Sequence, residues 1–406
     1  MTRTVAIVAA LDTKGDEAQV IKNVIESRGV RTLLIDVGVL GAPAMPAEVG
    51  RAEVASAGGG DLDDLVSTED KGRAMAVMTS GAAVVASRLH ADGRFDGIIG
   101  LGGTAGTAIA SSAMRALPVG VPKLIVSTVA SGHTRPYVGS KDIAMMYSVV
   151  DIAGINRLSG AILANAAGAI AGMVTVDRPE FVERPMLAAS MFGNTTTCVD
   201  AAREIFDNAG YEVLVFHATG AGGQTMESLI SDGFFQRVFD VTTTEWADQL
   251  CGGVVDAGPH RLEAAAATNT PQVIAPGCLD MVNFGAPETV PERYSGRKFY
   301  NWNPNVTLMR TTPEDNAELG RIIAEKANAS RGPVAILLPL KGVSQLDSVG
   351  GEFWWPEADT ALFDAIRRHA KPHIEVIDVD ANINDSVFVA KATSVLMEML
   401  GSRTAA

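Results

Sequence analysis

The chain is poor in aromatic residues, in cysteine and in positive charge. Aromatics make up 5% of its 406 residues, against a hydrophobic fraction of 47%. The core must therefore be built from aliphatic side chains, which suits strands buried on both faces. Three cysteines are present, Cys198, Cys251 and Cys278. An odd, sparse count at these spacings matches no disulfide framework, zinc or redox motif, and fits a reducing, cytoplasmic compartment. Lysine plus arginine total 33 against 47 aspartates and glutamates, a formal charge of −14. Such a surface repels nucleic-acid phosphates and leaves room only for a local basic pocket. Charged residues, at 20%, are too few for a disordered chain with this much apolar content. The run Met1–Val8 leads straight into an expected strand, without the apolar segment and cleavage site of a secretory signal. No apolar run free of charge and glycine reaches ~18 residues, so no membrane span is expected.

Several catalytic motifs are also missing. There is no G-x-x-x-x-G-K-[ST], and the first strand-to-helix turn has no G-x-G-x-x-G, which argues against P-loop ATPases and NAD dehydrogenases. No H-E-x-x-H helix occurs. Ser344 is not a nucleophile elbow, because Leu346 stands where G-x-S-x-G needs glycine.

What is present is a repeated alternation of short apolar runs and amphipathic segments. Strands are expected at Val5–Leu11, Thr32–Val37, Gly97–Leu101, Lys123–Ser127 and around Ile143–Val149. Helices are expected from Asp16 to Arg28, from Glu69 to His90, from Thr104 to Leu117 and around Asn156–Ala171. Met75, Met78, Ala82, Val85 and Leu89 recur at three- and four-residue spacing, the stripe of a helix covering a sheet. The second half continues with strands at Met186–Met191, Val213–Phe216, Val238–Val241, Val273–Ala275, Val334–Leu338 and Ile374–Ile377. The order implies an α/β fold with mostly parallel sheets and right-handed crossovers. Composition shifts in Asp177–Pro185, dividing the chain into 1–182 and 183–406.

In such sheets ligands bind beyond the carboxyl ends of the strands, so the loops there are the candidate sites. After the first strand, Lys14 can pair with a phosphate, Asp12 with a metal-bound water or a ribose hydroxyl, and Thr13 can donate to an oxygen. The alternative is a capping box of Thr13 and Asp16. Asp36, ending the second strand, stands where a ribose-binding acid would, or where a strand-end cap would. After the third strand, Gly102, Gly103, Thr104, Gly106 and Thr107 offer close backbone approach, hydroxyls and a helix N-terminus to an anion. The alternative is a tight turn with Thr104 as cap. Ser127, Ser131, Gly132 and His133 lie in the next loop. The second half repeats the pattern at His217–Gly223. Glu245 and Asp248 are three apart on an expected helix, with capping by Thr243 or Thr244 as the plainer reading. Leu279–Gly285 is a polar interruption, and Leu340–Asp347 follows a strand.

Several of these loops, in order, form recognisable signatures: Leu11–Gly15, Gly102–Thr107, Ser131–Gly139, Met191–Thr196, Asp240–Glu245, Leu279–Gly285, Asn303–Thr311 and Gly342–Ser344. Together they resemble the Tm-1-like ATP-binding family over nearly the whole chain. The resemblance implies two Rossmann-like subdomains, ATP binding with Mg2+, and a homodimer or higher homo-oligomer. Two departures stand out: Trp302 where histidine is expected before Asn303-Pro304, and His133 at a position often acidic or amide. The resulting expectation is an ATP-binding protein, with phosphate on Gly102–Thr107. As an ATP-dependent enzyme it would act on a small metabolite, with Lys14, Glu245, Asp280 and Arg310 as candidate catalytic groups, the last three lining an interdomain cleft. The alternatives are a regulatory ATP-binding module without turnover, and a non-ATP enzyme for a phosphorylated or carboxylated metabolite. Metal ligands are not assigned, and neither membrane nor general nucleic-acid partners are expected.

Overall fold

The computed structural model describes residues 2–68, 70–177 and 182–399. The chain forms two compact units, Met1–Glu180 and Phe181–Ala406. Arg178–Phe181, inside the composition shift that divides the sequence, lie outside the described residues, as does Glu69 at the expected start of a helix.

Unit 1 runs β1 (Thr4–Ala9), α1 (Leu11–Ser27), β2 (Arg31–Asp36), α2 (Arg51–Ala57), α3 (Leu62–Thr68), α4 (Lys71–Ala91), β3 (Gly97–Gly102), α5 (Thr104–Arg115), β4 (Lys123–Ser127), α6 (Arg135–Val138), β5 (Ala144–Tyr147) and α7 (Arg157–Thr175). Its sheet has the order β2-β1-β3-β4-β5, and every pairing is parallel. Successive strand residues point to opposite faces, so each strand feeds two cores. Ala6, Val8, Ile98 and Ile125 pack under α2, α4 and α5. Val5, Ile7, Ile99 and Val126 pack under α1 and α7. Among the described residues α7 alone has the length and hydropathy of a membrane span. It carries three glycines, and its face Leu163, Ala166, Ala167, Ile170 and Val174 lies against the sheet as a core helix.

Unit 2 runs β6 (Met186–Met191), α8 (Thr196–Asn208), β7 (Glu212–His217), α9 (Ala221–Ser231), β8 (Arg237–Thr242), α10 (Glu245–Cys251), α11 (Ala264–Thr268), β9 (Gln272–Gly277), β10 (Met281–Phe284), β11 (Phe299–Asn303), β12 (Val306–Arg310), α12 (Pro313–Asn328), β13 (Val334–Pro339), α13 (Pro356–His369), β14 (Glu375–Val379) and α14 (Ser386–Glu398). Its parallel sheet has the order β14-β13-β9-β8-β6-β7. Read in chain order this is the unit 1 topology, second strand beside first and third on the other side, with one strand added. A separate three-stranded sheet, β10-β12-β11, pairs antiparallel. That sheet is the part of the fold outside the expected mostly parallel alternation. Leu279–Gly285, read as a polar interruption, contains β10, and Asn303–Thr311 contains β12.

Candidate functional site

The order β2-β1-β3 makes the gap beyond β1 and β3 a topological switch point, where the connections leave in opposite directions and a crevice opens. A cavity of about 770 Å3 lies there, lined by residues that follow β1, β2 and β3. Its polar lining includes Asp12, Lys14, Lys71, Thr104, Asp151 and the turn Gly102–Gly106, and its apolar lining includes Leu65, Met75, Met78 and Ile109. α4 thus turns part of its methionine stripe toward the crevice as well as toward the sheet.

On the cavity wall α5 begins without a side-chain cap: its N-cap is Gly103, and Thr104 is already helical. The first-turn N–H groups of α5 therefore remain for an anion. Gly102 sits at φ 154°, where a Cβ would press on the Gly106 backbone at 2.8 Å. The Thr107 hydroxyl is buried, shared with Ser127 Oγ at 2.6 Å, and donates to the Gly102 carbonyl at 3.2 Å. Thr107 and Ser127 thus brace the turn from behind and are not on the cavity wall.

The first turn does not form the capping box that stood as the alternative reading. α1 starts at Leu11 with Ala10 as N-cap and no side-chain cap, and its helix is broken at Lys14 (φ −129°, ψ 22°). Thr13 is exposed, its hydroxyl donating to the Ala10 carbonyl at 3.4 Å. The break leaves Lys14 half-buried on the cavity wall. Asp12 Oδ2 accepts from Leu40 N–H at 2.7 Å and Gly41 N–H at 3.1 Å, tying down the loop after β2. Asp12 Oδ1 is buried and has no partner among the described residues. Asp36 is buried off the wall; its Oδ1 accepts from Leu11 and Gly38 N–H. Burial pushes its carboxyl upward against those two backbone bonds. Asp36 therefore acts as a strand-end cap. Ser131, Gly132 and His133 are exposed and off the wall. Sequence reasoning missed Asp151, Lys71 and the loop Val37–Leu40. Only topology brings these to the β1–β3 gap, although Met75 and Met78 were visible as a helical stripe.

In unit 2 the chain's own side chains engage the switch point and the N-terminus of α9, the helix after the second strand. By topology β6, β7 and β8 correspond to β1, β2 and β3, so His217–Gly223 matches the loop after β2 rather than the glycine turn after β3. Thr195 and Thr242 hydroxyls bond at 2.8 Å across the switch point. Glu245 Oε1 accepts from Gly220 N–H at 2.7 Å and Gly223 N–H at 3.1 Å, and a Cβ on Gly223 would collide with that carboxylate. Glu245 thus occupies the place an external anion would take at the N-terminus of α9. Arg261, 1% exposed, neutralises it: Nε donates to Glu245 Oε2 at 2.7 Å, and the guanidinium also meets Asp240 and Glu227. Burial raises the Glu245 carboxyl, opposed by Arg261.

The remaining candidate groups of unit 2 are likewise engaged inside it. Asp248 is buried at the Asn283 backbone and side chain, and burial pushes its carboxyl up to about 7. Thr243 and Thr244 do not cap α10: Thr243 Oγ1 donates to the Ala275 carbonyl, and Thr244 Oγ1 is buried without a partner. Asp280 and Arg310 are also buried, at 0% and 1% exposure. None of Glu245, Asp280 and Arg310 is on a cavity surface described here.

Fold and site together define a doubly wound α/β protein of two like-wound units, one with an open pocket at its switch point and one whose α9 N-terminus is held by its own Glu245. The chain belongs to the Uncharacterised protein family (UPF0261): residues 3–179 match its N-terminal domain and residues 184–400 its C-terminal domain. A UPF0261 protein of Clostridium tetani is 51% identical over 402 residues, covering 98% of this chain and 100% of that protein. The ToMV resistance protein Tm-1 of Solanum lycopersicum is 41% identical over 337 residues, covering 81% of this chain and 45% of that protein. The chain thus matches less than half the length of the tomato protein, and the resemblance to Tm-1-like proteins holds at the level of family. Among solved structures, the S. aureus MnaA-UDP co-structure aligns over 92% of this chain and 93% of its own, at 9% identity and a TM-score of 0.24. A likeness that low says nothing of what this chain does.

Proposed function

We propose that the unit 1 pocket binds a nucleoside triphosphate, ATP by family resemblance. The observation that carries this reading is the uncapped N-terminus of α5, which opens through Gly102–Gly106 into a pocket that also has apolar lining. Phosphates would rest on the N–H groups of α5, Lys14 would add charge, and the base would lie among Met75, Met78 and Leu65. Asp12, Asp70 and Asp151 also line the pocket, against Lys14 and Lys71. A polyphosphate entering this excess of carboxylates needs a cation with it. Mg2+ is held through one or two carboxylates plus phosphate oxygens, and the unpartnered Asp12 Oδ1 fits that demand. Among the described residues no group of three or more His, Cys, Asp or Glu could hold a metal ion, so the phosphates would have to supply the remaining ligands. When bound, Mg2+ would neutralise phosphate charge and orient the chain of phosphates.

The test is calorimetric titration of the folded protein with ATP and Mg2+. Saturable binding below millimolar ATP supports the reading; no heat at millimolar ATP overturns it. Incubation with ATP and candidate small metabolites then separates an ATP-dependent enzyme from a regulatory module that binds without turnover. Competition by phosphorylated or carboxylated metabolites with no ATP binding would mark a non-ATP enzyme instead. Self-association, also implied by the family, is read by light scattering of the eluted protein.

A further inference from the structure

Unit 2 holds a second buried charge cluster, separate from Arg261. Arg310 ends β12 and is 1% exposed. Its Nε donates to the Phe353 carbonyl at 2.8 Å, and its Nη2 donates to Asp359 Oδ1 at 2.8 Å and to Asp347 Oδ1 at 3.4 Å. Asp347 comes from the segment after β13 and Asp359 from the first turn of α13. A third carboxyl, Asp280 between β9 and β10, accepts from Ser344 Oγ at 2.9 Å through Oδ2. Its Oδ1 is buried and has no partner.

Three carboxyls therefore face one guanidinium. Fully ionised, the cluster would bury two uncompensated negative charges, which a water-free site does not tolerate. Like acids in one site resolve this by keeping protons. The geometry crowds the acids: Asp347 Oδ1 and Asp359 Oδ1 both approach the same nitrogen, Arg310 Nη2, at 3.4 and 2.8 Å. Burial, then the Asp347 charge, pushes Asp280 up to about 7 and Asp359 up to about 8. Burial also raises Asp347, against the pull of Arg310.

The segment Gly342–Trp355 contains no helix or strand, and its anchors converge on this cluster. Val343 N–H donates to Asp347 Oδ2 at 2.9 Å, Asp347 N–H donates to Ser344 Oγ at 2.9 Å, and the Phe353 carbonyl accepts from Arg310. Asn382 Nδ2 donates to the Ser344 and Asp347 carbonyls at 3.1 Å each. We propose that Asp280, Asp347 and Asp359 form a proton-sharing lock on Arg310, which holds Gly342–Trp355 against the ends of β9 and β13 and releases it when the protons leave.

Other groups around the lock are accounted for. The Cys278 thiol is fully buried and pushed well up by burial and by Asp280 and Asp347, so it stays neutral. Arg297 is paired with Asp315 and touches Arg310 only at its carbonyl. Lys341 pairs with Asp380 at the surface. The lock's carboxyls have folded pKa values above their unfolded ones, so their stabilisation is complete below roughly pH 4 and is lost as pH rises toward 7–8. Opening should increase about tenfold per pH unit for each proton released, then level off.

Amide hydrogen exchange of the full chain between pH 5 and 9, corrected for intrinsic base catalysis, tests this. Peptides covering residues 342–355 should open about tenfold more per pH unit for each proton and reach a plateau near pH 8. Asp359→Asn keeps an N–H donor for Asp347 but cannot ionise, so its slope should fall by one proton. A flat wild-type profile, or an unchanged slope in D359N, overturns the lock. A variant that does not fold leaves the test to infrared spectra of the chain with its cluster intact. With 13C-labelled aspartate and Asp36→Asn and Asp248→Asn removing the raised aspartates outside the cluster, a protonated-carboxyl band present at pH 6 and gone by pH 9 supports the lock, and its absence at pH 6 overturns it.

Discussion

At the scale of single residues, chemistry and availability diverge. Lys14 lies half-buried on the cavity wall, with no ion pair among the described residues that would occupy it. Lys14→Ala should weaken ATP binding by about 1.5–3 kcal/mol, tenfold or more, if the lysine meets phosphate; calorimetry gives the number, and an unchanged affinity removes Lys14 from the site. Glu245, Asp280 and Arg310 have side chains just as suited to catalysis, yet each is spent on an internal partner. Nothing in a sequence shows a partner that lies 16 residues away, as Arg261 lies from Glu245, so residue type alone over-counted the site. Arg261→Met should destabilise unit 2 by about 3–5 kcal/mol, because it strands buried carboxylates without their cation. Urea denaturation measures this. Adding Glu245→Gln and Asp240→Asn should recover part of the loss, since neutral amides no longer need the guanidinium.

At the scale of elements, what is local is readable and what is crossed is not. The expected strands of both parallel sheets are found within a residue or two of their places, because each is a continuous aliphatic run between turn residues. The antiparallel sheet was missed because β11, with two asparagines, reads as a loop, and the aliphatic runs of β10 and β12 are each interrupted by a polar residue, Asn283 and Thr307. The helix after β1 begins five residues before its expected start, at Leu11 instead of Asp16, because its first turn is set apart by the break at Lys14. Neither periodicity nor capping rules predict such a break. In the loop after β2, Leu40 and Gly41 N–H share one acceptor, Asp12 Oδ2, while Asp12 Oδ1 has no partner among the described residues. Two substitutions separate the two oxygens. Asp12→Asn retains an oxygen for Leu40 and Gly41 N–H but loses charge, so the loop should stay protected from exchange while the Mg2+ dependence of ATP binding weakens. Asp12→Ala should lose both. Equal Mg2+ dependence in wild type and Asp12→Asn would assign Asp12 to the loop alone.

At the scale of the whole molecule, two units of like winding divide the chemistry unequally, and this makes them respond to different variables. A ligand that binds folded unit 1 at a hundredfold its Kd stabilises that unit by about 2.7 kcal/mol. The pH response belongs to unit 2, where burial raises Glu227, Glu245, Asp248, Asp280 and Asp359. In unit 1 Asp36 is the carboxyl that burial raises. A carboxyl whose folded pKa is raised stabilises fully below its unfolded pKa, and that contribution disappears as pH climbs through the folded value. Asp248 and Asp280, at about 7, and Asp359, at about 8, place the loss for unit 2 between roughly pH 4 and pH 8. It amounts to about 1.4 kcal/mol per pH unit for each proton the folded form keeps. Hydrogen exchange of core-strand amides, followed separately for β1 and β3 and for β8 and β9, should show unit 2 losing protection from pH 5 to 8 while unit 1 changes far less. Adding ATP and Mg2+ at pH 8 should then raise protection in β1 and β3 and leave β8 and β9 as they were. Loss of protection in both sets with equal slope would mean that the raised carboxyls of unit 2 do not govern its stability.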